Sequence, residues 1–135
     1  MALIVPNSSE AIMLQYITNN DAPENLIIRL YSNNIVPDEI SVVGTFTEVT
    51  GGGYAQQNLL AGSWTITTGA PSQAEHTEIT WTFTGATGDG GNVFGYYIIR
   101  ASGGELMWAE RFSNGPFVIA VNGDEIKVTP RLTLE

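Results

Sequence analysis

Two glutamates five residues apart, Glu105 and Glu110, are the first candidates for bond-breaking chemistry in this chain. A carboxylate pair hydrolyses a glycosidic bond when one protonates the leaving oxygen and the other attacks or activates water, which requires them to face one another across roughly 5–10 Å. On a strand, an odd separation sends them to opposite faces. Glu110 then shares a face with Leu106 and Trp108 and reads as a structural charge beside Arg111 or an edge position. The single histidine, His76, has Glu75 and Glu78 nearby. It lacks the second histidine of a metal site and the ordered serine and aspartate of a triad, so its segment reads as an exposed loop leading into a strand. Gly51-Gly52-Gly53 and the glycine-rich stretch 85–91 have neither the lysine nor the following helix of a phosphate-binding loop. Asp89 hints at calcium, but that ion takes six to eight oxygens from several carboxylates and carbonyls, so a surface turn is favoured. With no cysteine, thiolate nucleophiles, thiolate metal sites and disulfides are excluded. These residues predict no catalytic site, no cofactor and no metal.

The aromatic side chains are the remaining resource. Trp81 and Trp108 are in phase with aliphatic neighbours and read as core. Tyr54 and Tyr97 are freer and suit an interface, and with Trp64 they could instead stack on sugar rings.

Composition narrows the partners. The formal net charge is −9, and the only cations are Arg29, Arg100, Arg111, Lys127 and Arg131. Nucleic-acid binders neutralise phosphates with clustered Lys and Arg, and anionic membranes attract the same groups. Neither partner is expected, whereas a basic or neutral protein is compatible. The first residues, Met-Ala-Leu-Ile-Val-Pro, lack the charged and apolar regions of a signal peptide. No run approaches the roughly 20 apolar residues of a membrane-spanning helix. The expectation is a chain made and kept in the cytosol until it joins something larger.

The elements follow from periodicity. Asn7, Ser8 and Ser9 offer cap oxygens for a helix with Glu10 in its first turn, continuing to Thr18. Ile12, Met13, Tyr16 and Ile17 lie on one side as a core lid, and Asn19-Asn20-Asp21 stops the run. Period-two alternation then takes over: Leu26, Ile28 and Leu30, the 64–67 run, then Ile79, Trp81 and Phe83. It continues through 93–101, 105–112 and 117–121. Residues 125–135 read as one final strand, with Ile126, Val128, Leu132 and Leu134 on its buried face. Gly103 and Asn122-Gly123 suggest tight hairpin turns. About eight strands with turn signals every dozen residues predict one all-β domain over 1–135, an antiparallel sandwich with a short N-terminal helix.

Several stretches carry a resemblance: Leu3-Ile-Val-Pro-Asn7, Arg29-Leu-Tyr-Ser-Asn-Asn34, Thr47-Glu-Val-Thr-Gly-Gly-Gly-Tyr-Ala55, Gly95-Tyr-Tyr97, Met107-Trp-Ala-Glu-Arg-Phe112 with Gly115-Pro116, and Asn122-Gly-Asp-Glu-Ile-Lys-Val-Thr-Pro-Arg-Leu-Thr-Leu134. Over nearly the whole chain it resembles small β-sandwich virion proteins of tailed bacteriophages, including cyanophages. The resemblance implies a jelly-roll-like fold and a head decoration, or cement, role on the capsid surface. It implies the major capsid protein or another virion protein as partner, and a homo-oligomer, with a trimer favoured. The alternative is a tail or neck module that binds a receptor or carbohydrate. On this reading the contact elements are an N-terminal arm at residues 2–7 (Leu3, Ile4, Val5, Pro6), the loop 36–43 beginning at Val36, the loops 51–54 and 85–91 with Gly52 and Tyr54, and Tyr97. An extended arm of this kind can join a neighbour's open sheet edge.

Overall fold

A computed structural model describes residues 3–134. Among them are one α-helix, α1 (Asn7–Ile17), three short 3-10 turns and eleven strands. The strands are β1 (Leu26–Tyr31), β2 (Gln57–Leu59), β3 (Trp64–Thr67), β4 (Ser72–His76), β5 (Ile79–Thr82), β6 (Asn92–Val93), β7 (Gly95–Arg100), β8 (Leu106–Arg111), β9 (Phe117–Val118), β10 (Glu125–Val128) and β11 (Arg131–Leu134). All pairings are antiparallel. The sheets run β2-β1-β7-β8, β11-β4-β3, β10-β5 and β6-β9. The architecture is all-β and sandwich-like with one N-terminal helix. No helix is long and apolar enough to cross a membrane among the described residues.

The four-stranded sheet is covered on both faces. Ile28, Leu30, Tyr96, Ile98 and Trp108 join Trp81, Phe83 and Ile126 in one core. Tyr31, Tyr97, Ile99, Leu106 and Ala109 pack with Phe46 in a second. Strand β7 is therefore buried along nearly its whole length. A bulge makes this division possible. Ile98 pairs with Trp108 but Ile99 pairs with Leu106, which leaves Met107 as the extra residue. A bulge shifts side-chain phase by one, so Leu106 and Trp108 enter different cores, and the common face expected for them does not exist.

Further expectations are corrected. The C-terminal residues form two strands, not one: β10 pairs with β5 and β11 with β4. Pro130, fully buried, lies between them; proline offers no N–H to a ladder and fixes φ, so it marks the break. Leu134, expected inside, is exposed. The helix receives no cap from Asn7 or Ser8; Pro6 is the cap residue, and Ser9 Oγ donates to Pro6 O at 2.9 Å. Ile12 is buried as a lid residue, whereas Ile17 is exposed. The Asn122-Gly123 turn is not a hairpin, since β9 pairs with β6 and β10 with β5. The hairpin around Gly103 does form between β7 and β8, with Gly104 taking the positive φ of 72°.

Asp124 closes the 121–124 turn, its Oδ2 accepting the Ala120 and Val121 N–H groups at 2.9 and 3.0 Å. These two donors hold its carboxyl below the ordinary aspartate range. A carboxyl lowered in the folded state contributes stability above its unfolded value, about 3.9, and loses it as pH falls through the folded value. Asp124→Ala is therefore expected to lower the urea midpoint at pH 7 and progressively less as the pH falls below about 4. A gap of constant size down to pH 2 would remove this role.

Candidate functional site

The carboxylates of Glu105 and Glu110 do not converge. Glu105 lies 3.7 Å from Arg100 Nε, where Asp21 and Glu24 also bind that guanidinium. Glu110 accepts a 2.7 Å hydrogen bond from Tyr96 Oη rather than pairing with Arg111. Arg111 instead donates to Ile35 O and Asn34 Oδ1 and sits over the Phe94 ring. His76 is the clearest correction. It ends β4, is 4 % exposed, and meets the Trp64 ring edge-on at 5.0 Å. Its Nδ1 is 2.8 Å from Thr77 O, and Nε2 is buried without a partner. No group of three His, Asp or Glu residues is placed to hold a metal ion among the described residues. Asp89 accepts from Ser32 Oγ at 2.6 Å.

The aromatic candidates are mostly enclosed. Tyr97 is 2 % exposed and stacks on Phe46 with centroids 4.7 Å apart, so it is not available to a partner. It belongs to the second core rather than to the interface expected for it. Tyr54 Oη donates to Glu48 Oε1 and accepts from Leu30 N–H, tying a loop to β1. Burial pushes that hydroxyl far above the ordinary tyrosine range. Trp81 and Trp108 lie in the core as expected, and Trp64 is half-buried against it.

The glycine loops meet one another. Gly51 bridges Thr87, Thr84 N–H donates to Gly52 O, and Gly88 N–H donates to Thr50 O. Gly52 has φ +58°, and a Cβ there would come within 2.5 Å of Gly85 O. That close approach of two backbones explains the triglycine. The loops are fastened rather than protruding.

What the folded chain does bring together is the N-terminal arm and the 36–43 loop. Ile4 N–H and O exchange 3.0 Å hydrogen bonds with Ala109 O and N–H, so the arm occupies the edge of β8 in its own chain. Leu3 and Val5 pack against the core, and Pro6 is fully buried. This corrects the free arm, of which Ala2 lies outside the described residues. Asn7 N–H then donates to Glu39 O, which joins the arm to the loop. The loop is tied by internal hydrogen bonds: Asp38 Oδ1 accepts from Ile40 N–H and Ser41 Oγ, while Ser41 Oγ accepts from Asp38 N–H. On this frame Val36 is 60 % and Ile40 80 % exposed, with Val42 and Val43 also uncovered. Ile40 also lines a hollow of about 410 Å³ with Ile4, Pro37, Asp38 and Glu39. Periodicity could not reveal this ridge, because its aliphatics lie in a loop. No protein-family model, curated protein or solved structure matches the chain.

Proposed function

We propose that this chain is a structural protein of a tailed-phage virion, a decoration protein that binds and stabilises the outer surface of the head. The observation that carries the reading is the apolar ridge of Val36, Ile40, Val42 and Val43 on a hydrogen-bonded loop. Exposed aliphatics gathered on one short segment suit a protein contact surface, and a loop held by its own hydrogen bonds loses little entropy on docking. The family resemblance supplies the partner, a capsid subunit, and the fastened glycine loops supply a scaffold that keeps its shape on binding.

The test uses heads of the encoding phage assembled without this protein. Saturable, stoichiometric binding with a higher head-disruption temperature is expected. Ile40→Asp is expected to reduce binding by about tenfold or more, while its own stability changes by only about 0.5 kcal/mol because the site is exposed. Absence of the wild-type protein from every virion component would end the reading.

A further inference from the structure

We propose that β3 is the seat of a two-fold homodimer, in which the β3 strands of two copies pair antiparallel with their Ile66 residues opposite one another. β3 is the outer strand of the sheet β11-β4-β3. An outer strand presents unpaired N–H and C=O groups, and proteins usually guard such edges with charge, proline, bulges or a covering segment. Several other edges here are guarded. β8 is closed by Ile4, and β11 follows Pro130 and carries Arg131. β10 alternates Glu125 and Lys127. β2 and β5 are laced together by Gln57 Nε2 donating to Thr80 O and Trp81 Nε1 donating to Ala55 O. β3, Trp-Thr-Ile-Thr, has none of these devices, and Ile66 is 68 % exposed.

The backbone register makes this edge self-complementary. Thr77 N–H donates to Ser63 O on one side of the central strand, and His76 N–H donates to Pro130 O on the other. Antiparallel hydrogen-bonded pairs alternate along a strand, so Thr65 and Thr67 turn their backbone groups toward β4. Ile66 then turns its N–H and C=O to the open side. Two copies related by a two-fold axis through this point would exchange reciprocal Ile66 N–H to C=O bonds, an isologous contact.

The side chains agree. Ile66 is opposite Ala74, which is opposite Leu132, so all three share the inner face with Leu134. The inner end of that face covers the core, while Ile66 and Leu134 at the outer end are bare. Leu134, with Ala74, Leu132 and the exposed Ile17 of α1, lines an open apolar groove of about 360 Å³ on this face. A second β3 would extend this apolar face across the dimer. Among the described residues, the only charges on the sheet's other face, Arg131 and Glu75, satisfy one another. A chain of net charge −9 can therefore meet its copy here without opposing like charges. The result is a two-fold pair instead of the trimer implied by the resemblance, and it does not depend on any virion partner.

Sedimentation equilibrium of the full chain over a wide concentration range tests this. The wild type is expected to show a monomer–dimer equilibrium. Ile66→Lys and Ile66→Pro should each weaken it by about tenfold or more, the first through charge and the second by deleting the outward N–H. Val42→Lys, on the separate loop, should leave it unchanged. Near-ultraviolet circular dichroism establishes that each variant is folded; if the proline variant is not, the lysine variant decides. A wild type that stays monomeric throughout, a trimer, or a dimer retained in folded Ile66→Lys overturns the proposal.

Discussion

Gly95→Ala is expected to destabilise the protein by about 3 kcal/mol, with a fall of roughly 10 °C in Tm. Gly95 begins β7, the strand between β1 and β8, and pairs with Tyr31 on one side and Arg111 on the other. Glycine ordinarily weakens a strand interior. Here the Tyr31 ring lies directly over it: an added Cβ would come within 2.6 Å of Tyr31 Oη and 2.7 Å of Cε1, and would overlap the Glu110 carbonyl oxygen. Tyr31 is fully buried against Phe46, with ring centroids 5.1 Å apart, so it has little room to retreat. The backbone oxygen cannot move without disturbing the β7–β8 ladder. Chemical denaturation of Gly95→Ala, Tyr31→Leu and the double variant measures the coupling. An interaction of about 1 kcal/mol or more is expected, since removing the ring relieves part of the overlap. Strict additivity, or a loss below about 1 kcal/mol for Gly95→Ala, would show that this contact is not what demands glycine.

Alkaline titration is expected to release the tyrosines in one cooperative step coincident with unfolding. All five tyrosines, Tyr16, Tyr31, Tyr54, Tyr96 and Tyr97, have hydroxyls raised above the ordinary value, with burial the leading cause in each. Tyr31 is pushed up to about 12, and Glu110 and Glu48 oppose ionisation of Tyr96 and Tyr54 through the hydrogen bonds they accept. A proton-bearing group raised in the folded state stabilises fully below its unfolded pKa, about 10 for tyrosine, and that contribution disappears as pH rises through the folded value. Tyrosinate absorbance should therefore stay low through pH 10 and rise together with loss of far-ultraviolet circular dichroism between about 10 and 12. Gradual ionisation centred near pH 10 with secondary structure intact would contradict the burial of these rings.

Much of the fold was legible in the chain. The 26–31, 64–67 and 79–83 alternations became β1, β3 and β5 with their apolar members inside, except at Ile66. Two strands left no such trace. β4, Ser-Gln-Ala-Glu-His, has no apolar alternation and low β-propensity, yet it is the central strand of its sheet because β3 and β11 pair with it on either side. β2 is equally polar and is placed by β1. A strand of mostly polar residues is placed by the ladders beside it, and periodicity does not report a ladder.

The candidate surface divides the same way. The sequence by itself determined the all-β class, the short helix, the core tryptophans and the acidic, cysteine-free surface, because periodicity and composition are local properties. Tertiary structure alone decided that Tyr97 and His76 are inside, that Ile4 and Pro6 are held by their own chain, and that the glycine loops grip each other. It also decided which aliphatics are left outside, at residues 36–43 and at Ile66. The physical reason is that exposure depends on what lies opposite a residue. A bulge at Met107, a proline at 130 and two backbones in contact at Gly52 settle that across distances no local pattern spans.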